Sequence, residues 1–89
     1  MSDNEKVLAG RQVNEALDEV KELFSLRSDR QLAGLLDIEK QNVSRWRAFG
    51  EVSAKRACQI EQATQGRVTW SRLCPNLVWE TKRLFNDAR

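Results

Sequence analysis

The chain has 89 residues, a net charge of +2, no histidine and two cysteines. That length supports one domain with a modest core, and no run of about 18 apolar residues is present to span a membrane. Cys58 and Cys74 stand far apart, outside any C-x-x-C spacing, so neither a metal site nor a cofactor is expected. Reinforcement of so small a core then falls to a partner chain, a homodimer being the simplest form.

The start, residues 1–6, is polar and acidic rather than a signal peptide, and the expected compartment is the cytoplasm. There both cysteines are expected to be small, mostly buried thiols. A first helix is expected from residue 5 or 11 to residue 24, with Val13, Leu17, Val20 and Phe24 forming one apolar stripe. Glu15, Asp18, Glu19 and Glu22 occupy its other faces. Residues 1–24 hold six acids and three bases, a net of −3, whereas residues 25–89 hold seven acids and twelve bases, a net of +5. An acidic helix is repelled by phosphates. It is therefore read as an N-terminal extension that packs or pairs with protein, away from any nucleic acid.

Ser28-Asp29-Arg30-Gln31 has the form of a capping box and opens a second helix, with Leu32, Ala33, Leu35 and Leu36 as its buried face. It ends near Leu36, before Asp37. A third helix fits residues 40–49, with Val43 and Trp46 inward and Gly50 as its stop. Ser53 offers an N-cap for a fourth helix whose Ala57, Ile60 and Thr64 face inward, and Gly66 closes it. Thr69 can cap one short turn through Leu73. Asn76 can cap a last helix in which Leu77, Thr81, Leu84 and Phe85 share a stripe, an extended segment near Trp79 being the alternative. Trp70 and Trp79 are read as core or dimer contacts. The fold class is thus all-α: a compact five-helix helix-turn-helix domain with an N-terminal helical extension, divided into the acidic extension (residues 1–24), the helix-turn-helix region (25–76) and a C-terminal tail or helix (77–89).

The informative stretch is residues 29–48. Ala33 allows two steeply crossed helices to approach, Asp37 occupies the turn, and Val43 packs the second helix on the first. That is the spacing of a helix-turn-helix, whose second helix enters the major groove. The residues left outside its small core are Lys40, Gln41, Asn42, Ser44, Arg45 and Arg47, all polar. Gln and Asn can bond adenine bidentately, and Arg or Lys can bond guanine. Lys40, Gln41, Ser44 and Arg45 are the expected base readers. Asn42 and Arg47 point to the side and suit phosphate contacts, which position without specifying. Basic residues gathered near Arg45, Arg47, Lys55 and Arg56 give the matching electrostatic footprint. No histidine serves as a base, no glycine-rich phosphate loop occurs and no carboxylate pair marks a cleft, so an enzyme is not expected.

Gln31-Leu32-Ala33-Gly34-Leu35-Leu36 and Asn42-Val43-Ser44-Arg45-Trp46-Arg47 resemble the helix-turn-helix of phage repressors of the Cro and lambda-repressor type. The pattern continues through Ile60-Glu61-Gln62-Ala63-Thr64-Gln65-Gly66, Val68-Thr69 and Leu73-Cys74-Pro75-Asn76-Leu77. This longer run is similar to the YdaS-like prophage Cro-type regulators, over roughly residues 26–79. The resemblance implies a compact lambda-repressor-like domain, a repressor role and dimeric binding to a two-fold double-stranded operator. It also implies DNA contact by Lys40, Gln41, Ser44 and Arg45, and phosphate contact by Arg30, Lys55 and Arg56 near the starts of the second and fourth helices. Asp37 departs from the family's usual glycine and Glu39 from its usual Ser or Thr cap. The acidic first helix and the apolar tail (Leu77, Val78, Trp79, Leu84, Phe85) motivate the alternative. In it the same fold acts through a protein partner, as an anti-repressor or a toxin-neutralising antitoxin.

Overall fold

The computed structural model describes residues 3–87, with the side chains of residues 10–83. The first two residues of the polar start, and the stripe positions Leu84 and Phe85, lie outside that description. Among the described residues all regular structure is helical. In chain order the helices are α1 (Asp3–Leu23), α2 (Asp29–Leu36), α3 (Lys40–Phe49), α4 (Ala54–Ala63), α5 (Trp70–Leu73) and α6 (Pro75–Asp87).

One core unites them. Val13, Ala16, Leu17 and Val20 of α1 are buried together with Leu32, Leu36, Val43, Trp46, Val52, Ala57, Ile60, Val68, Leu73 and Cys74. The α1 helix packs against α2, α3, α5 and α6. The segment read as an N-terminal extension is therefore, from residue 13 onward, a wall of the core. Its apolar stripe also ends differently: Phe24 lies past the helix end and is 36 % exposed, while Ala16 fills the i+3 position beside Val13. A methyl group suffices there because α1 lies close against its neighbours.

Three helices end on a left-handed residue that is not glycine: Ser25 (φ 56°), Asp37 (φ 57°) and Gln65 (φ 55°). Each end carries the same backbone pair, as in Ile38 N–H to the Ala33 carbonyl (2.9 Å) and Asp37 N–H to the Gly34 carbonyl (3.2 Å). These are Schellman bonds, which satisfy carbonyls the helix leaves unpaired. The left-handed residue that closes α4 is Gln65, and Gly66 (φ 82°) follows it instead of closing the helix itself. By contrast α3 does end on Gly50 (φ 69°), whose N–H bonds the Trp46 carbonyl at 2.8 Å.

Helix starts also differ in detail from the sequence expectation. Ser28 Oγ accepts from the Gln31 amide at 3.2 Å, but the Gln31 side chain accepts from the Arg27 amide (2.6 Å) rather than from that of Ser28. Ser53 and Thr69 sit at N-cap positions without a side-chain cap bond. Distant carboxylates serve two later starts. Glu61 Oε1 accepts from the Trp70 amide at 2.9 Å, and Glu51 accepts from the amides of Asn76 (3.1 Å) and Leu77 (3.3 Å). The last helix thus begins at Pro75, whose missing N–H suits a first-turn position. It runs through Trp79, which is 66 % exposed and helical, neither extended nor in the core.

Thr64 and Cys74 tie the last third of the chain together. Thr64 Oγ1 donates to the Ile60 carbonyl (2.9 Å) and accepts from the Val68 amide (3.1 Å). Cys74 donates its thiol to the Val52 carbonyl at 3.0 Å, and burial pushes that thiol up to about 11, so it stays protonated near neutral pH. Cys58 is exposed on α4, contrary to the expectation of two buried thiols.

Candidate nucleic-acid interface

The short helices α2 and α3 are joined by residues 37–39 and pack on each other. Asp37 makes the tight turn in the left-handed region, where aspartate is among the better substitutes for glycine. Val43 and Trp46 face inward, at 0 % and 7 % exposure. Their i, i+3 spacing leaves Lys40, Gln41, Ser44 and Arg45 on the exposed side of α3, where they share about two turns of surface. The four expected base readers are thus brought together on one face. Trp46 is a core residue.

The residues expected to position phosphates are not brought together. Arg30 is exposed on the first turn of α2 and Lys55 on the first turn of α4, and α4 packs on α2. Asn42 is half-buried on the side of α3. Arg56 turns inward: one guanidinium nitrogen donates to Gln59 Oε1 (2.7 Å) and to the Leu36 carbonyl (3.4 Å) at the end of α2. It links α4 to α2.

Arg47 departs furthest from its expected role. Its Nε donates to Asp29 Oδ2 (2.8 Å), and one terminal nitrogen donates to Asp29 Oδ1 (2.8 Å) and Asp18 Oδ1 (2.8 Å). The other terminal nitrogen donates to Asn14 Oδ1 at 2.7 Å. A guanidinium has five N–H donors, and four are accounted for by α1 and α2. Arg47 is therefore an internal clamp across three helices, its donors turned to Asn14, Asp18 and Asp29. Burial by itself would lower its pKa, but the hydrogen bonds and attraction of Asp29 and Asp18 outweigh that and raise it. In turn the Arg47 hydrogen bonds hold the Asp29 carboxyl below its ordinary value, against the opposing effect of burial, and Lys21 adds to the attraction from 3.5 Å.

Two acids of α1 are engaged in the same manner. Asp18 pairs with Arg47, and Glu19 pairs with Arg72 on α5. Residue 47 lies four positions after Val43 and so on the same side of the helix, a spacing that marks it as inward-facing. The sequence offers no comparable mark for its partners, which lie 18 to 33 residues away.

An open depression of about 590 Å³ lies between α2 and the start of α3. Arg30, Gly34, Ile38, Glu39, Lys40 and Gln41 line it. Among the described residues no cluster of His, Cys, Asp and Glu is fit to hold a metal, and no helix is long and apolar enough to cross a membrane.

The chain is thus a small all-helical protein, among the described residues, that presents one polar, donor-rich helix face over a packed core. The chain belongs to the family described as bacterial toxin YdaS, which matches residues 25–82. This agrees with the resemblance read from residues 26–79. The family is Cro-like and of prophage type, and it places the chain among phage-type regulators or toxin-like small proteins. No curated protein and no solved structure matches the chain.

Proposed function

We propose that this protein is a sequence-specific regulator of transcription from a phage or prophage, a repressor that binds double-stranded DNA as a homodimer in the cytoplasm. In this reading α2 and α3 form a lambda-repressor-like helix-turn-helix, and α3 lies in the major groove. Lys40, Gln41, Ser44 and Arg45 read base edges, while Arg30 and Lys55 hold phosphates. The observation that carries it is the division of α3. One side is sealed by Val43, Trp46 and the clamped Arg47, so the four exposed polar side chains sit on a rigid rod. Protein interfaces centre on aromatic and aliphatic anchors; none stands among these four positions, Phe49 following one turn after Arg45 at the helix end. No catalytic step is assigned to the protein.

The family's description as a toxin is compatible with this reading, because a DNA binder harms a cell by occupying the wrong sites. A second reading rests on Phe49, which is 76 % exposed at the end of α3, and on Trp79. Exposed aromatics of this kind suit a protein partner, as in an anti-repressor or an antitoxin.

The test is selection of bound duplexes from a random pool at two salt concentrations. Enrichment of a near-palindromic motif supports a dimeric reader, and salt-sensitive binding without enrichment overturns it. Gln41→Ala or Arg45→Ala is then expected to relax discrimination at one base position by about 1–3 kcal/mol. Lys55→Ala is expected to weaken all duplexes alike and to reduce the salt slope by about one ion. An unchanged base profile for Gln41→Ala, with an altered one for Lys55→Ala, would reverse the two roles. Sedimentation that finds only monomer, free and on DNA, would remove the dimer.

A further inference from the structure

Gly34 occupies the middle of an eight-residue helix, where glycine is the most costly residue short of proline. Nothing in the chain requires it. Its backbone is helical with no positive φ, and a Cβ built on it meets no atom within 4 Å. A bare glycine alone argues little, since Gly10 of α1 has as much room. The surroundings of Gly34 are what differ. It lines the depression between α2 and α3, one turn after Arg30 on the same side of α2, and Lys40 and Gln41 close the other edge. Gly34 thus shares an open depression with two cations, and the space where its side chain would stand is empty. Glycine serves where another chain must approach a backbone closely.

We infer that Gly34 keeps this surface bare for the sugar–phosphate backbone of bound duplex DNA, seated beside Arg30 on α2. The inference rests on the DNA reading proposed above, in which Arg30 of α2 holds a phosphate, and adds to it the role of Gly34. The charge pattern selects the occupant: Arg30 matches a phosphate, Lys40 adds positive potential as it reaches for the groove, and Glu39, the one acid in the lining, disfavours a phosphate on its own side. A methyl group at residue 34 would stand where the strand must lie.

The experiment compares Gly34→Ala with Gly10→Ala in the full chain, using thermal unfolding, binding to the selected duplex and to an unrelated duplex, and sedimentation. Each variant is expected to raise Tm by about 3–8 °C, because alanine favours a helix. Gly34→Ala is also expected to weaken both duplexes by about tenfold, while Gly10→Ala leaves them unchanged. Glu39→Gln is expected to tighten both, since it removes a like charge from the phosphate path. Unchanged or tighter duplex binding by Gly34→Ala overturns the inference. So does a loss confined to self-association, which would give the surface to a second copy of the chain. If the wild-type protein holds no duplex at either salt, the DNA reading itself fails. That outcome is separate from one in which the wild type binds and the variant binds equally well.

Discussion

Leu17→Ala is expected to lower the free energy of unfolding by about 3 kcal/mol, and Tm by more than about 10 °C. Leu17 is completely buried in the middle of α1, and its neighbours on the stripe are Val13, Ala16 and Val20, all at 0–1 % exposure. Removing its side chain deletes apolar contact on the inner side of α1, where α3, α5 and α6 meet it, and leaves a cavity they can only partly fill. Urea or thermal unfolding measures the effect. Loss of an extension would cost a few tenths of a kcal/mol, within the range of surface substitutions. A change below about 1 kcal/mol would mean that α1 is peripheral and that residues 25–89 carry the fold by themselves.

Arg47→Ala is the second large effect, expected to cost about 2–3 kcal/mol. The substitution leaves Asp29 with Lys21 alone, Asn14 Oδ1 without its donor in a half-buried place, and Asp18 and Asp29 without the guanidinium they share. Both sides of the pair keep some exposure, 21 % and 24 % for Arg47 and Asp29, which holds the figure below that of a fully buried ion pair. Arg47→Lys is expected to recover less than half, because an ammonium cannot fork onto one carboxylate while also reaching Asn14. The pH dependence follows from Asp29, whose folded pKa is depressed. Its contribution is complete above the ordinary aspartate value of 3.8 and is lost as pH falls through the lower folded value. The stability gap between wild type and Arg47→Ala should therefore narrow on acidification below that value and stay constant above it. With both proteins folded, the salt slope of duplex binding should match wild type, since the donors of Arg47 are turned to Asn14, Asp18 and Asp29. A reduced slope would return Arg47 to the phosphate-contact role expected from the sequence.

These two predictions concern the places where local reading and the folded structure part. The elements of residues 28–64 are legible because their signals are short-range. The Ser28 cap acts within three residues, Val43 with Trp46 and Ala57 with Ile60 repeat at helical spacing, and Gly50 ends a helix by its own φ. The four exposed donors on α3 follow from the same spacing: once the inner face is known, the outer one is known too. The closing residues Ser25 and Gln65 were not legible, because a serine or a glutamine carries no mark of a left-handed backbone. What places them there is the pair of bonds that each helix end makes with the chain just beyond it.

Composition and periodicity by themselves determined that the chain is helical, that a short helix and turn precede α3, and that Lys40, Gln41, Ser44 and Arg45 of α3 reach solvent. Only the tertiary structure decided that α1 is a wall of the core, that its Asp18 and Glu19 pair with Arg47 and Arg72, and that Glu51 and Glu61 start α6 and α5. The physical reason is range. A cap or an apolar stripe is settled between residues three or four apart, whereas the choice of an arginine between a phosphate and two aspartates depends on which helices lie beside it. Arg47 reads as a surface cation until Asn14, Asp18 and Asp29 are brought around it.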